Sequence, residues 1–120
     1  MPLYTVFGTQ DLTSTDRQGH RVQWYGYWLS CILFRHKGKK IGSGAIWRRG
    51  DVGWFRAVVD WAGTERELMR QGWSVKGTGG VLAEGGGVKH MVLRSLAEVS
   101  LTPYPCNPTA RLVSVSLMRQ

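Results

Sequence analysis

Three histidines, several serines and eight acidic residues are the side chains with which this chain could carry out nucleophilic or acid–base chemistry. A serine hydroxyl near its ordinary pKa is a poor nucleophile, so it needs a histidine as base, and the histidine needs a partner that fixes its tautomer. The chain contains all three residue types. Because they can be combined in many ways, spacing alone selects no catalytic triad.

The two cysteines, Cys31 and Cys106, lie far apart in the chain and match no metal-ligand spacing. In a chain without a secretion signal, such a pair is predicted to be two reduced and mostly buried thiols. Neither cysteine is therefore expected to bind a metal or to act as the nucleophile.

Length and composition predict a single folded domain over residues 1–120. The chain is 42% hydrophobic and contains six Trp, four Tyr and three Phe, which is more apolar area than disordered chains have. Sixteen Lys and Arg against eight Asp and Glu give a formal charge of +8, which favours acidic partners or nucleic acid. Because no nucleic-acid-binding motif accompanies the dispersed charge, nucleic acid stays an open but unspecific partner.

No stretch of the sequence has the roughly 18 consecutive apolar residues that a membrane span requires. The N-terminus, MPLYTVFG, lacks a basic region followed by an apolar segment, so nothing marks the chain for secretion. We expect no membrane partner and a location in the cytoplasm of the cell that makes the protein.

Runs of β-branched and aromatic residues predict that strands dominate the fold. The predicted strands are LYTVFG, VQWYGYWLSCILF, IGSGAIW, WFRAVVDW and WSVKG, followed by one or two strands in VKHMVLRSLAEVSL. Between the last two lies GTGGVLAEGGG, whose six glycines predict a flexible loop over residues 77–87.

One helix is indicated over residues 64–72. Thr64 and Glu67 have the spacing of a capping box, and Gly72 stands where a helix commonly ends. The C-terminal ARLVSVSLM fits either a strand or a second short helix. The predicted fold class is therefore α+β: a mostly antiparallel, barrel-like sheet with one or two short helices.

Four segments resemble, in order, the motifs of the prohead proteases of tailed bacteriophages, a family distantly similar to the assembly protease (assemblin) of herpesviruses. They are LFRHKGKKIGSG, DVGWFRAVVD, ERELMRQGWSVKG and LAEVSLTPYPCNPTA, and the resemblance covers residues 33 to about 116. The last segment is the most specific, because a Glu-Val-Ser-Leu strand running into a proline turn closes the family's pattern.

The resemblance implies a serine endopeptidase that acts in phage head maturation and needs no metal or cofactor. It places the nucleophile at Ser74, the general base at His36 and the orienting acid at Glu98. The implied substrate is a peptide segment of capsid scaffold or of the major capsid protein, cleaved in assembling proheads in the host cytoplasm. Two positions depart from the family pattern: Lys37 replaces an acid, and Lys76 replaces a small glycine.

Several alternatives stay open at this point. His90 could replace Glu98 as the third member, since the herpesvirus relatives use a second histidine there. The chain could also be an inactive relative that serves as a structural capsid or assembly protein, or a basic nucleic-acid-binding module. The sequence decides neither the cleavage site nor whether the protein forms a homo-oligomer.

Overall fold

A computed structural model describes residues 2–34 and 38–118, with the side chains of residues 81–84 left out. Eight strands and one short helix follow one another along these residues. They are β1 (Leu3–Asp11), β2 (His20–Gln23), β3 (Trp28–Phe34), β4 (Lys40–Arg49), β5 (Val52–Asp60), α1 (Glu65–Met69), β6 (Gly72–Gly85), β7 (Val88–Thr102) and β8 (Arg111–Leu117).

The eight strands form one sheet in the order β2-β7-β3-β4-β5-β1-β8-β6, and a further pairing joins β6 to β7. Seven of the strands are therefore paired in a closed ring, and β2 adds to it by pairing with the first part of β7. The β2–β7 and β3–β7 pairs are parallel, whereas the others are antiparallel. The shortest junction joins β6 to β8 at Gly72 and Arg111, supported by a bond from Trp73 N–H to the Ala110 carbonyl.

The predicted α+β class is wrong, because the described residues form a mostly-strand mixed sheet with a single five-residue helix. The start of that helix is confirmed, since Thr64 Oγ1 accepts a hydrogen bond from the Glu67 N–H at 3.1 Å. The helix ends at Met69, before the predicted residue 72, because Gly72 already begins β6. The C-terminal segment is a strand, since β8 pairs with β1 and leaves no second helix there.

The predicted flexible loop over residues 77–87 is also wrong in its secondary structure. These residues lie in a long hairpin, in which β6 pairs with β7 from Gly72 to Gly85. Gly86 and Gly87 form the turn with positive φ angles of 59° and 78°, which glycine adopts without steric cost. The register shifts at three points in this hairpin, so its glycines coincide with irregular pairing.

Side chains alternate between the two faces of each strand, and those that point into the interior of the ring are mostly large and apolar. Trp73 is fully buried, stacks on Phe55 with centroids 5.2 Å apart, and meets the edge of Trp24 at 6.0 Å. Its indole N–H donates to the Thr9 carbonyl at 3.2 Å, so the ring's polar atom is satisfied. Because neighbouring strand residues face opposite ways, Ser74 lies on the outer face of the same strand.

Candidate active site

Ser74 lies on the outer face of β6 and is nevertheless buried, with 3% of its surface exposed. The segment between β7 and β8 covers it, and the Cys106 N–H donates a hydrogen bond to Ser74 Oγ at 2.9 Å. A hydroxyl has one proton and two lone pairs, so this contact leaves the proton and one lone pair free. The Ser74 hydroxyl can therefore still give its proton to a base.

Glu98 lies on β7, diagonally across from Ser74 on the neighbouring strand. Ser74 pairs in register with Ser100, and Lys76 pairs with Glu98, so all four side chains share the outer face of the two strands. Glu98 is 7% exposed, and its carboxylate lies 4.0 Å from the Lys76 ammonium. A buried carboxylate that approaches a serine from the neighbouring strand could orient a histidine placed between them.

His36, the expected base, lies outside the described residues. The strand before it, β3, pairs with β7 on the side away from β6, with Leu33 opposite Ser100 and Phe34 opposite Leu101. Leu33, Ser100 and Ser74 are thus consecutive neighbours across three strands. In the chain, His36 follows the last residue of β3 by two positions.

His90, the alternative third member, lies at the other end of β7. Ten residues of that strand separate it from Ser100, the register partner of Ser74. In the register of the sheet, Glu98 is diagonally adjacent to Ser74, whereas His90 pairs with Arg21 and Ala83.

A pocket of about 470 Å³ opens beside Ser74. Its apolar wall includes Trp24, Trp73 and Leu93, and its polar lining is Gln10, Asp16, Gln18, His20, Ser74, Lys76, Cys106 and Asn107. Pockets that combine an apolar wall with a few converging polar groups are the usual binding sites of folded domains. This pocket could hold one side chain of a peptide whose carbonyl approaches Ser74.

The pocket brings in a turn that sequence analysis did not connect with the site. Asp16 Oδ1 accepts hydrogen bonds from the N–H groups of Gln18 and His20 at 2.9 and 2.8 Å, and Arg17 N–H donates to the Cys106 carbonyl at 2.9 Å. The DRQGH sequence has the composition of a turn, but no local signal indicates contact with residues 106 and 107. His20 is therefore a histidine that lines the pocket together with Ser74.

Both cysteines are free and partly exposed, and the pKa of Cys106 lies above its ordinary value. Burial raises the pKa of the Cys106 thiol, and the Asp16 carboxylate adds to the rise by its charge and by a hydrogen bond. A raised pKa means that the thiolate, which is the reactive form, appears only at higher pH than in an ordinary cysteine.

We expect Asp16→Asn to make Cys106 react a few-fold faster with iodoacetamide at pH 8, because the neighbouring negative charge is removed. Asparagine keeps an oxygen acceptor for the two N–H groups of the turn. Mass spectrometry of the alkylated peptides measures the rate, and Cys31 in the same protein is the internal control. Equal rates for Cys106 in both proteins would show that Asp16 does not govern this thiol.

Within residues 2–34 and 38–118, no group of three His, Cys, Asp or Glu side chains is arranged to hold a metal ion. The helix in that part of the chain is too short to cross a membrane. Compared with family models, with curated proteins and with solved structures, the chain matches none. Any statement about its activity therefore rests on its own residues and on the motif resemblance.

Proposed function

We propose that this chain is a serine endopeptidase of the prohead-maturation type, with Ser74 as nucleophile, His36 as general base and Glu98 as orienting acid. The observation that carries the proposal is the position of Ser74 and Glu98 on one face of two paired strands beside a pocket. Strand β3, which leads to His36, flanks the same strand β7 from the other side.

The proposed reaction is acyl transfer to Ser74 followed by hydrolysis. The histidine takes the proton of the Ser74 hydroxyl while the oxygen attacks the peptide carbonyl carbon, and it then gives that proton to the departing amine as the C–N bond breaks. Water attacks the resulting ester by the same proton transfers and releases the carboxylate product. Glu98 holds the histidine in the required tautomer and stabilises its charged form.

The proposed substrate is a peptide segment of capsid scaffold or of the capsid protein. The pocket beside Ser74 would receive a side chain of this segment, and its polar lining would bind groups at the end of that side chain. The excess of basic residues would favour an acidic substrate protein.

A second function has one specific observation in its favour. Ser74 is 3% exposed, and its hydroxyl oxygen accepts a hydrogen bond from the Cys106 N–H. A serine whose role is structural, rather than catalytic, would have the same burial and the same hydrogen bond. An inactive structural relative of the proteases, used in capsid assembly, would retain this arrangement.

Labelling with a fluorophosphonate separates the two functions without knowledge of the cleavage site. Such reagents phosphonylate serines that a neighbouring base activates, so we expect one adduct, on Ser74, located by mass spectrometry of peptides. The adduct should be lost in His36→Gln and kept in His20→Gln. If the folded wild-type protein gains no adduct at Ser74 while trypsin in the same tube is labelled, the structural function is correct.

A further inference from the structure

The outer face of β4 and β5, together with the residue that precedes β3, carries a row of aromatic side chains that solvent reaches. Tyr27 stacks on Trp47 with centroids 5.9 Å apart and planes 24° apart, and Trp47 stacks on Trp54 at 6.4 Å and 9°. Trp47 and Trp54 face each other in register across β4 and β5. We call Tyr27, Trp47 and Trp54 the aromatic row.

A shallow groove of about 600 Å³ runs beside the aromatic row. Tyr27, Leu29, Ala45 and Val58 supply its apolar side chains. Leu29 and Tyr27 are 76% and 65% exposed, which is unusual for side chains of this size in a cluster. Contiguous exposed apolar surface of this kind commonly marks a site of interaction with another protein.

The charge of the groove has one sign. Lys40 and Arg56 line it, and no carboxylate does so among the described residues. The Arg56 guanidinium lies 5.8 Å above the centre of the Phe7 ring on β1, so it is held over the sheet surface. Two carboxylates share this face: Asp11 lies at the far end of the β1–β5 pair, and Asp60 lies two residues beyond the groove residue Val58 without lining the groove itself.

From this groove and its charge we infer a docking surface for an acidic protein segment that carries apolar side chains. Leu29 and the aromatic row contact the apolar side chains of this segment, and Lys40 and Arg56 pair with its carboxylates. The surface lies on a different part of the ring from Ser74, since β3 and β7 separate β4 from β6. The inference goes beyond the proposed peptidase activity and does not depend on it.

Two other occupants fit the observations less well. Single-stranded nucleic acid binds aromatic platforms by stacking bases on free ring faces, whereas Trp47 already stacks on Tyr27 and on Trp54. A second copy of the chain would bring Lys40 and Arg56 of two molecules to one interface, and each copy carries a net charge of +8.

Binding of a defined peptide tests the inference directly. The probe is a short fluorescein-labelled peptide in which Glu alternates with Leu, and fluorescence anisotropy measures its affinity for the wild-type protein. We expect Arg56→Glu to weaken binding about tenfold, because it replaces an attractive charge with a repulsive one. Leu29→Ser should weaken it about threefold by removing apolar contact.

Matched variants elsewhere on the surface serve as controls. Arg66→Glu makes the same change of charge on α1, and Tyr104→Ser removes an exposed aromatic side chain between β7 and β8. Both should bind the peptide like the wild type, and all four variants should keep the wild-type melting temperature. Because the variants leave Ser74 in place, loss of peptide binding with retained fluorophosphonate labelling separates this surface from the active site.

The inference is overturned if Arg56→Glu and Arg66→Glu weaken binding equally, since the peptide would then sense only net charge. It is equally overturned if an oligothymidine binds more tightly than the peptide and Leu29→Ser weakens that binding. Self-association of the wild type in sedimentation experiments, abolished by Leu29→Ser and accompanied by no peptide binding, would assign the surface to a second copy.

Discussion

Under the proposed peptidase function, Ser74→Ala is expected to abolish cleavage of a capsid scaffold protein that is co-expressed with the chain. Alanine removes the attacking oxygen and leaves the backbone of β6 unchanged. Losing the nucleophile of a serine protease costs on the order of 10⁴-fold or more in rate. Mass spectrometry of the co-expressed proteins should therefore find processed scaffold with the wild type and intact scaffold with the variant.

Ser100→Ala is the matched control for this experiment. Ser100 faces Ser74 in register on β7 and is fully buried, so both substitutions remove a buried hydroxyl from the same face of the sheet. Scaffold processing should continue in Ser100→Ala. If both variants stop processing alike, the loss does not identify Ser74 as the nucleophile, and if neither does, Ser74 is not the nucleophile.

Glu98→Gln extends the same experiment to the acid. Glutamine is nearly the same size but cannot stabilise a charged histidine, so processing should slow strongly while the fold persists. The substitution also removes the carboxylate partner of Lys76, which is 65% exposed and can return to solvent. The proposed role of Glu98 would be wrong if Glu98→Gln processed scaffold at the wild-type rate.

The sequence predicted most strands well, because their alternation and β-branched composition are local properties. WFRAVVD illustrates this, since Phe55, Ala57 and Val59 face the core while the residues between them are more exposed. The hairpin of β6 and β7 was mistaken for a loop for the opposite reason. Its glycines have low strand propensity, but the long partner strand β7 supplies hydrogen bonds that override that preference.

The predicted α+β class is wrong because two local features of the sequence do not decide the fold. The capping box at Thr64 is real, but the helix that it begins is only five residues long. The C-terminal segment had no decisive period, and its strand state comes from pairing with β1, more than a hundred residues earlier in the chain. Tertiary pairing of this kind leaves no signature in the segment itself.

Part of the candidate site could likewise be predicted from the sequence, and part could not. The nearness of Ser74 and Glu98 follows from the hairpin, which pairs residues about 24 positions apart, and the motif resemblance indicated both residues. The contact between the Asp16 turn and Cys106 joins segments about 90 residues apart. Because nothing in either segment indicates the other, His20 and the rest of the pocket could not be predicted.

Trp73→Ala should destabilise the protein by about 3–5 kcal/mol, the usual cost of removing a fully buried large aromatic side chain. The substitution leaves a cavity between Phe55 and Trp24 and breaks the bond from the indole N–H to Thr9. Urea unfolding, followed by far-ultraviolet circular dichroism, measures the change. Trp54→Ala is the control, because it removes the same ring from the outer face and should cost much less.

Gly8 provides an independent check that the Trp73 ring is responsible. A Cβ at residue 8 would lie 2.6 Å from Trp73 Nε1 and 2.9 Å from the Arg111 carbonyl oxygen, so Gly8→Ala should destabilise the wild type. In the Trp73→Ala background the first clash disappears and only the contact with the backbone remains. The same substitution should therefore cost less there, and the two changes should be non-additive. Additive free energies would mean that Gly8 and Trp73 do not pack against each other across the interior of the ring.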